Sequence, residues 1–115
     1  MKYLLLIYRT EASMANQSPE DVSAAVKQYA AVAESLQARG QLLAAERLQP
    51  ASTATTVRVK DAKTLTTDGP FAETKEQLGG FYFIEAKDLD EAIAVAAQLP
   101  AARTGSIEVR PIFAM

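Results

Sequence analysis

This sequence predicts an α+β domain on the ferredoxin-like βαββαβ plan, an antiparallel sheet with two helices on one face. Three observations predict it. Strand patterns stand at residues 3–8 and 81–86, as apolar runs, and at 106–113, as an alternation. Two amphipathic helical stretches lie between them, near residues 18–39 and 88–99. The 115 residues are 49% hydrophobic, enough for a single domain over 1–115 that buries roughly two-thirds of its unfolded surface.

Tyr3-Leu4-Leu5-Leu6-Ile7-Tyr8, bounded by Lys2 and Arg9, has no polar alternation and reads as a central strand covered on both faces. Ser18-Pro19-Glu20-Asp21 then supplies an N-cap serine, a proline at the first helical position and acids in the first turn. Val22, Ala25, Val26, Tyr29, Val32, Ala33 and Leu36 follow at three- and four-residue spacing, and Arg39-Gly40 closes the longer helix with a glycine C-cap. Residues 41–48 read as a second strand ended by Gln49-Pro50. Residues 54–60 alternate β-branched and polar side chains as a third strand with one wet face, and residues 63–67 read as a short extension or hairpin return.

Phe81-Tyr82-Phe83-Ile84-Glu85-Ala86 is the next strand. Asp88 and Glu91 stand at capping-box spacing before a short helix carrying Leu89, Ala92, Ile93 and Ala96 inward, and Pro100 stops it. The last strand alternates from Ser106 to Phe113, with Pro111 placing it at an edge or a bulge. Two helices cover only one face of such a sheet. Since Phe81 and Phe83 oppose Tyr82 and Ile84, and the first strand is apolar on both sides, the helix-free face is apolar too. An exposed patch of that kind calls for a cover, and a second copy related by a two-fold axis is the simplest one. A homodimer is expected.

Composition excludes several classes of function. Twelve basic and fourteen acidic residues give a net charge of -2 with the basic residues scattered, which disfavours direct nucleic-acid contact. With no cysteine and no histidine, disulfides, thiolate nucleophiles, imidazole bases and transition-metal sites are not expected, and neither is a cofactor. A loose Mg²⁺ or Ca²⁺ at Asp68, Glu73 or Glu76 is the one metal chemistry left open. The apolar run after Met1-Lys2 is too brief for a secretory leader and no run reaches membrane-spanning length, so a cytoplasmic protein without membrane partners is expected.

One stretch looks chosen for more than folding. Asp68-Gly69-Pro70 is a turn triplet, followed by Phe71, the mixed charges Glu73, Lys75 and Glu76, and the glycine pair Gly79-Gly80. The whole segment, TDGPFAETKEQLGGF from Thr67 to Phe81, resembles the signature of the DGPF-domain branch of the YCII-related family. KYLLLIY at the start, TVRV at 56–59, DLDEAIAVAAQLP at 88–100 and EVRPI at 108–112 stand where that family has similar segments. The resemblance implies a dimeric α+β barrel and a bacterial cytosolic protein of unassigned activity. Some members of the wider family carry a histidine–aspartate pair in a cleft; here only the aspartate has a counterpart, Asp68. DGPF members often occur beside or fused to extracytoplasmic-function sigma factors, which suggests a regulatory setting.

Two classes of function follow. In the first, the protein is a small cofactor-independent enzyme in which Asp68 moves a proton on a small polar substrate. Gly69, Pro70, Phe71 and Glu73 then shape the pocket, and Arg58, Lys75 or Arg110 holds an anionic group. In the second, it is a non-catalytic small-molecule-binding or partner-regulating module. Each residue also has a plainer reading. Asp68 caps its own turn, Phe71 plugs the core, the mixed charges are a solvated face, and the arginines pair with Glu46, Glu85 or Glu108. Tyr8 and Tyr82 read as core residues with a hydroxyl at the rim.

Overall fold

A computed structural model describes residues 1–72 and 74–114. Its main sheet has four antiparallel strands, β1 (Lys2–Thr10), β2 (Leu42–Arg47), β5 (Glu76–Glu85) and β6 (Ser106–Pro111), in the order β2-β5-β1-β6. The order and the two long crossovers are those of the ferredoxin-like plan. β1 and β5, the two most apolar strands, take the centre. Pro111 lies on β6, an edge strand, where a missing N–H costs no ladder bond.

Alternation along the strands decides which side chains meet the helices. Tyr3, Leu5 and Ile7 of β1 and Tyr82 and Ile84 of β5 are buried beneath α2 (Pro19–Ala38) and α3 (Leu89–Ala96). From the helical layer Val32, Leu36, Ala92, Val95, Ala96, Leu99 and Ala101 close the core. Ser18 caps α2 by accepting from the Asp21 N–H, while the Asp21 carboxylate accepts from the Ser18 N–H. At the other end Gly40 takes φ +69°, the left-handed turn that a β-carbon would strain. Asp88 caps α3 through the Glu91 N–H, but the Glu91 carboxylate accepts from Lys87 N–H and the Gln41 side chain instead of from its own cap.

Several elements depart from what periodicity indicates. A short helix α1 (Glu11–Ala15) follows β1, nucleated by the Thr10 hydroxyl accepting from Ser13 N–H. β5 begins at Glu76, so Gly79 and Gly80 lie inside a strand and not before one, and a bulge at Gly79 brings Leu78 opposite Tyr8. α3 ends at Ala96, and a one-turn helix α4 (Ala101–Thr104) follows Pro100.

The largest departure is a hairpin. β3 (Thr55–Lys60) and β4 (Lys63–Asp68) pair only with each other, joined by Asp61 and Ala62 at φ 51° and 63°. Two successive left-handed residues give a tight turn whose twist suits a hairpin. Both faces of β3 are open to solvent, where the sequence indicates one: Val57 is 59% and Val59 70% exposed.

The molecule, one sheet and one helical layer with the hairpin projecting from them, measures 19 Å along its shortest axis against 47 and 43 Å along the others. Its surface area is 8100 Å², whereas a compact 12.4 kDa monomer exposes about 6100 Å². Leu4, Leu6, Phe81 and Phe83 occupy the helix-free face, with Glu46, Glu85, Glu108 and Arg110 around them.

Candidate functional site: a cleft beneath the first half of α2

The apolar stripe of α2 is continuous in sequence but not in use. Val32 and Leu36 press onto the sheet and are 3% and 0% exposed, whereas Val22 and Val26 on the same stripe are 41% and 52% exposed. Below them a cleft of about 720 Å³ opens between the helix and the sheet, within the range of small-molecule sites. Ile7 and Arg9 of β1, Ala45 and Arg47 of β2, and Gly80 and Tyr82 of β5 form its floor. Val22, Ala25, Val26 and Tyr29 roof it, and Met14 of α1 and the 48–51 segment flank the mouth. A second hollow of about 500 Å³ adjoins it, sharing Arg9, Gln17, Ala25 and Tyr29 and adding Arg103.

Arg9 stands where a core residue would by alternation, two positions after Ile7 on the helix side of β1. One Nη donates to Gln17 Oε1 at 2.8 Å, while Nε is buried and has no hydrogen-bond partner. Such an orphaned donor costs about 1–3 kcal/mol, and more on a charged group. Among the described residues only two ion pairs form, Met1 N-terminus with Glu85 and Arg110 with Glu108, so neither Arg9 nor Arg47 is neutralised by one.

Two tyrosines line the inner end, ring centres 6.3 Å apart. Tyr82 donates its hydroxyl to the Tyr29 carbonyl at 2.7 Å, and the Tyr29 hydroxyl accepts from Ala101 N–H at 3.2 Å. Burial, with a smaller contribution from Tyr29, pushes Tyr82 up to about 12 from 10.0. Burial also raises Tyr29, against the lowering effect of the Ala101 hydrogen bond and of the positive charges of Arg9, Arg103 and Arg47. Because the folded chain holds the Tyr82 proton more tightly than the unfolded chain, that contribution to stability is complete below pH 10 and is lost as pH rises through about 12. Urea midpoints measured from pH 9.5 to 12 should therefore fall more steeply for wild type than for Tyr82→Phe. Equal slopes would show that Tyr82 ionises like a free tyrosine.

The residues singled out in the sequence lie elsewhere. Asp68 ends β4, exposed and opposite Thr55, and Gly69 at φ 96° donates to the Ala54 carbonyl while its own carbonyl accepts from the Thr56 hydroxyl. Pro70 and Lys75 are exposed, and Glu73 lies outside the described residues. Phe71 does not plug the core of its own chain, being 78% exposed because the hairpin stands clear of the helices. Arg58 is exposed on β3, opposite Leu65. Arg110 lies on the helix-free face of β6, 3.9 Å from Glu108, the plainer pairing foreseen for it. None of the described residues among these lines the cleft. Among the described residues no three acidic side chains converge as a metal site would, and no helix is long and apolar enough to cross a membrane.

A ferredoxin-like α+β protein with an arginine-bearing cleft at one end of its sheet is the class that fold and site define. The YCII-related domain matches the chain over residues 1–115. An uncharacterised protein of Rhizobium meliloti (strain 1021) is 41% identical over 114 residues, covering 97% of this chain and 92% of the relative. The chain belongs to the YCII-related family.

Proposed function

We propose that this protein is a homodimeric small-molecule-binding member of the YCII-related family whose ligand occupies the cleft beneath the first half of α2. The observation that carries this reading is the unburied half-stripe: Val22 and Val26 face a cleft of about 720 Å³ that no other part of the chain fills among the described residues. Apolar side chains held over a hollow of that size give a ligand something to bury against. Asp68 shapes the end of the hairpin under this reading.

Support for the dimer comes from area and shape. About 2000 Å² of surface beyond the compact-monomer value is open, and a standard interface takes roughly 800 Å² from each partner. The open sheet face, with an apolar centre and both Glu108 and Arg110 at its rim, is suited to meet its own copy across a two-fold axis. Sedimentation should give twice 12.4 kDa at micromolar concentration and a single chain for Phe83→Glu. A wild-type monomer would remove the dimer from the proposal.

The site itself is tested by fragment screening with protein-observed NMR. Hits should move the amides of Val22, Ala25, Tyr29 and Gly80, Ala25→Trp should abolish them by filling the cleft, and Asp68→Asn should leave them intact. Hits that map instead to Asp68, Gly69 and Phe71 would transfer the site to the hairpin.

A further inference from the structure

We infer that the cleft is built for an organic carboxylate with an apolar body, held by Arg9 and Arg47; this rests on the cleft being the ligand site. Both arginines project from the sheet floor on the side facing α2, one from each of two strands that flank β5. Arg9 spends one Nη on Gln17 and makes no ion pair among the described residues, so a bound oxyanion would supply the counter-charge that the chain does not place there. Tyr29 adds a third group. Its hydroxyl oxygen is already used as an acceptor by Ala101 N–H, and its proton is not donated to any described residue. Arg9 borders both the cleft and the adjoining hollow, Arg47 lines the first and Arg103 the second, so Tyr29, which also borders both, has cations on either side.

The acids nearby do not cancel them. Glu11 lines the cleft and Asp21 the adjoining hollow, and Glu46 borders the cleft from a strand position in phase with the helix-free face, yet none makes an ion pair with Arg9, Arg47 or Arg103 among the described residues. Asp21 is committed to the cap of α2. Away from the arginines the lining includes Met14, Val22, Val26, Leu48 and Leu78, with Glu11, Gln17, Gln49 and Gln77 among them, and the run of large apolar side chains favours a hydrocarbon or aromatic tail over a sugar or a nucleotide. A net charge of -2 also gives the chain no long-range attraction for polyanions. A guanidinium pair facing an apolar wall is matched by one carboxylate on an apolar body.

The test titrates full-length protein with phenylacetate and octanoate, with the uncharged phenylacetamide and octanamide, and with inorganic phosphate, reading the Tyr29 and Gly80 amides. The acids should bind at least about tenfold tighter than their amides, the strength of one charge-assisted hydrogen bond. Arg9→Gln and Arg47→Gln should each weaken the acids about tenfold and leave the amides unchanged, with native spectra as the folding control. Phosphate should not move these amides. Acids and amides binding equally well, or acids indifferent to both substitutions, would overturn the carboxylate site while leaving the cleft a ligand site. Binding of phosphate alone would overturn the apolar-body specificity. If none of the four organic probes moves Tyr29 or Gly80, the inference and the cleft reading fall together.

Discussion

Leu36→Ala should destabilise the protein by about 2–5 kcal/mol, whereas Val22→Ala and Val26→Ala should each cost less than about 1 kcal/mol. All three residues belong to one apolar stripe on one helix, so helical propensity and amphipathicity treat them alike. Burial separates them. Leu36 is fully buried against the sheet, and truncating it leaves a void lined by neighbours that cannot collapse around it. Val22 and Val26 are already 41% and 52% exposed, so their truncation only widens a cleft. Thermal unfolding should show a drop of roughly 10 °C or more for Leu36→Ala and a few degrees at most for the valines. If Val26→Ala proved as damaging as Leu36→Ala, the first half of α2 would pack on the sheet and the cleft would not exist in solution.

The contrast also shows where sequence reasoning stops. Strand and helix identities were legible because period and caps agree: Ser18-Pro19 before the stripe, Gly40 after it, and two-sided apolar runs at β1 and β5. The detachment of β3 and β4 was not, since a strand in a main sheet and a strand in a projecting hairpin carry the same alternation of Val57, Arg58 and Val59. Their turn was hidden too, because Asp61-Ala62 adopts left-handed angles without glycine to announce them.

The site was less legible than the fold, for a reason that lies in strand parity. Arg9 is in phase with Tyr3, Leu5 and Ile7, and an arginine in core phase is a signal that the sequence does contain. Arg47 gives no such signal, because the irregularity between Leu42 and Ala44 shifts the count and puts Leu42, Ala45 and Arg47 on one face at uneven spacing. A charged residue at the far end of a two-sided strand also reads naturally as its solvent boundary. Only the lifting of α2 off the sheet turns that boundary into a floor.

Gly80→Ala should cost about 1–3 kcal/mol, and Gly79→Ala should change stability by no more than about 0.5 kcal/mol, although the sequence presents the two as an equivalent pair. A β-carbon on Gly80 would stand 2.8 Å from the Glu46 carbonyl oxygen and 3.5 Å from Arg47 Cα, backbone atoms of β2 that cannot rotate away. The same atom on Gly79 would meet only the Ile7 carbonyl oxygen, at an ordinary 3.9 Å. β2 is an edge strand, so it can yield to the Gly80 substitution only by moving off β5, which strains the Glu46–Phe81 and Arg47–Gly80 pairing. Chemical denaturation should therefore rank Gly80→Ala well below Gly79→Ala. In the Gly80 variant the amides of Glu46 and Arg47 should shift while those of β6 stay in place. Because Arg47 belongs to the cleft floor, the same variant should weaken phenylacetate binding, whereas Gly79→Ala should not. Equal stability of the two variants would mean that the β2–β5 spacing has slack, and that the second glycine is not held there by the close approach of the two backbones.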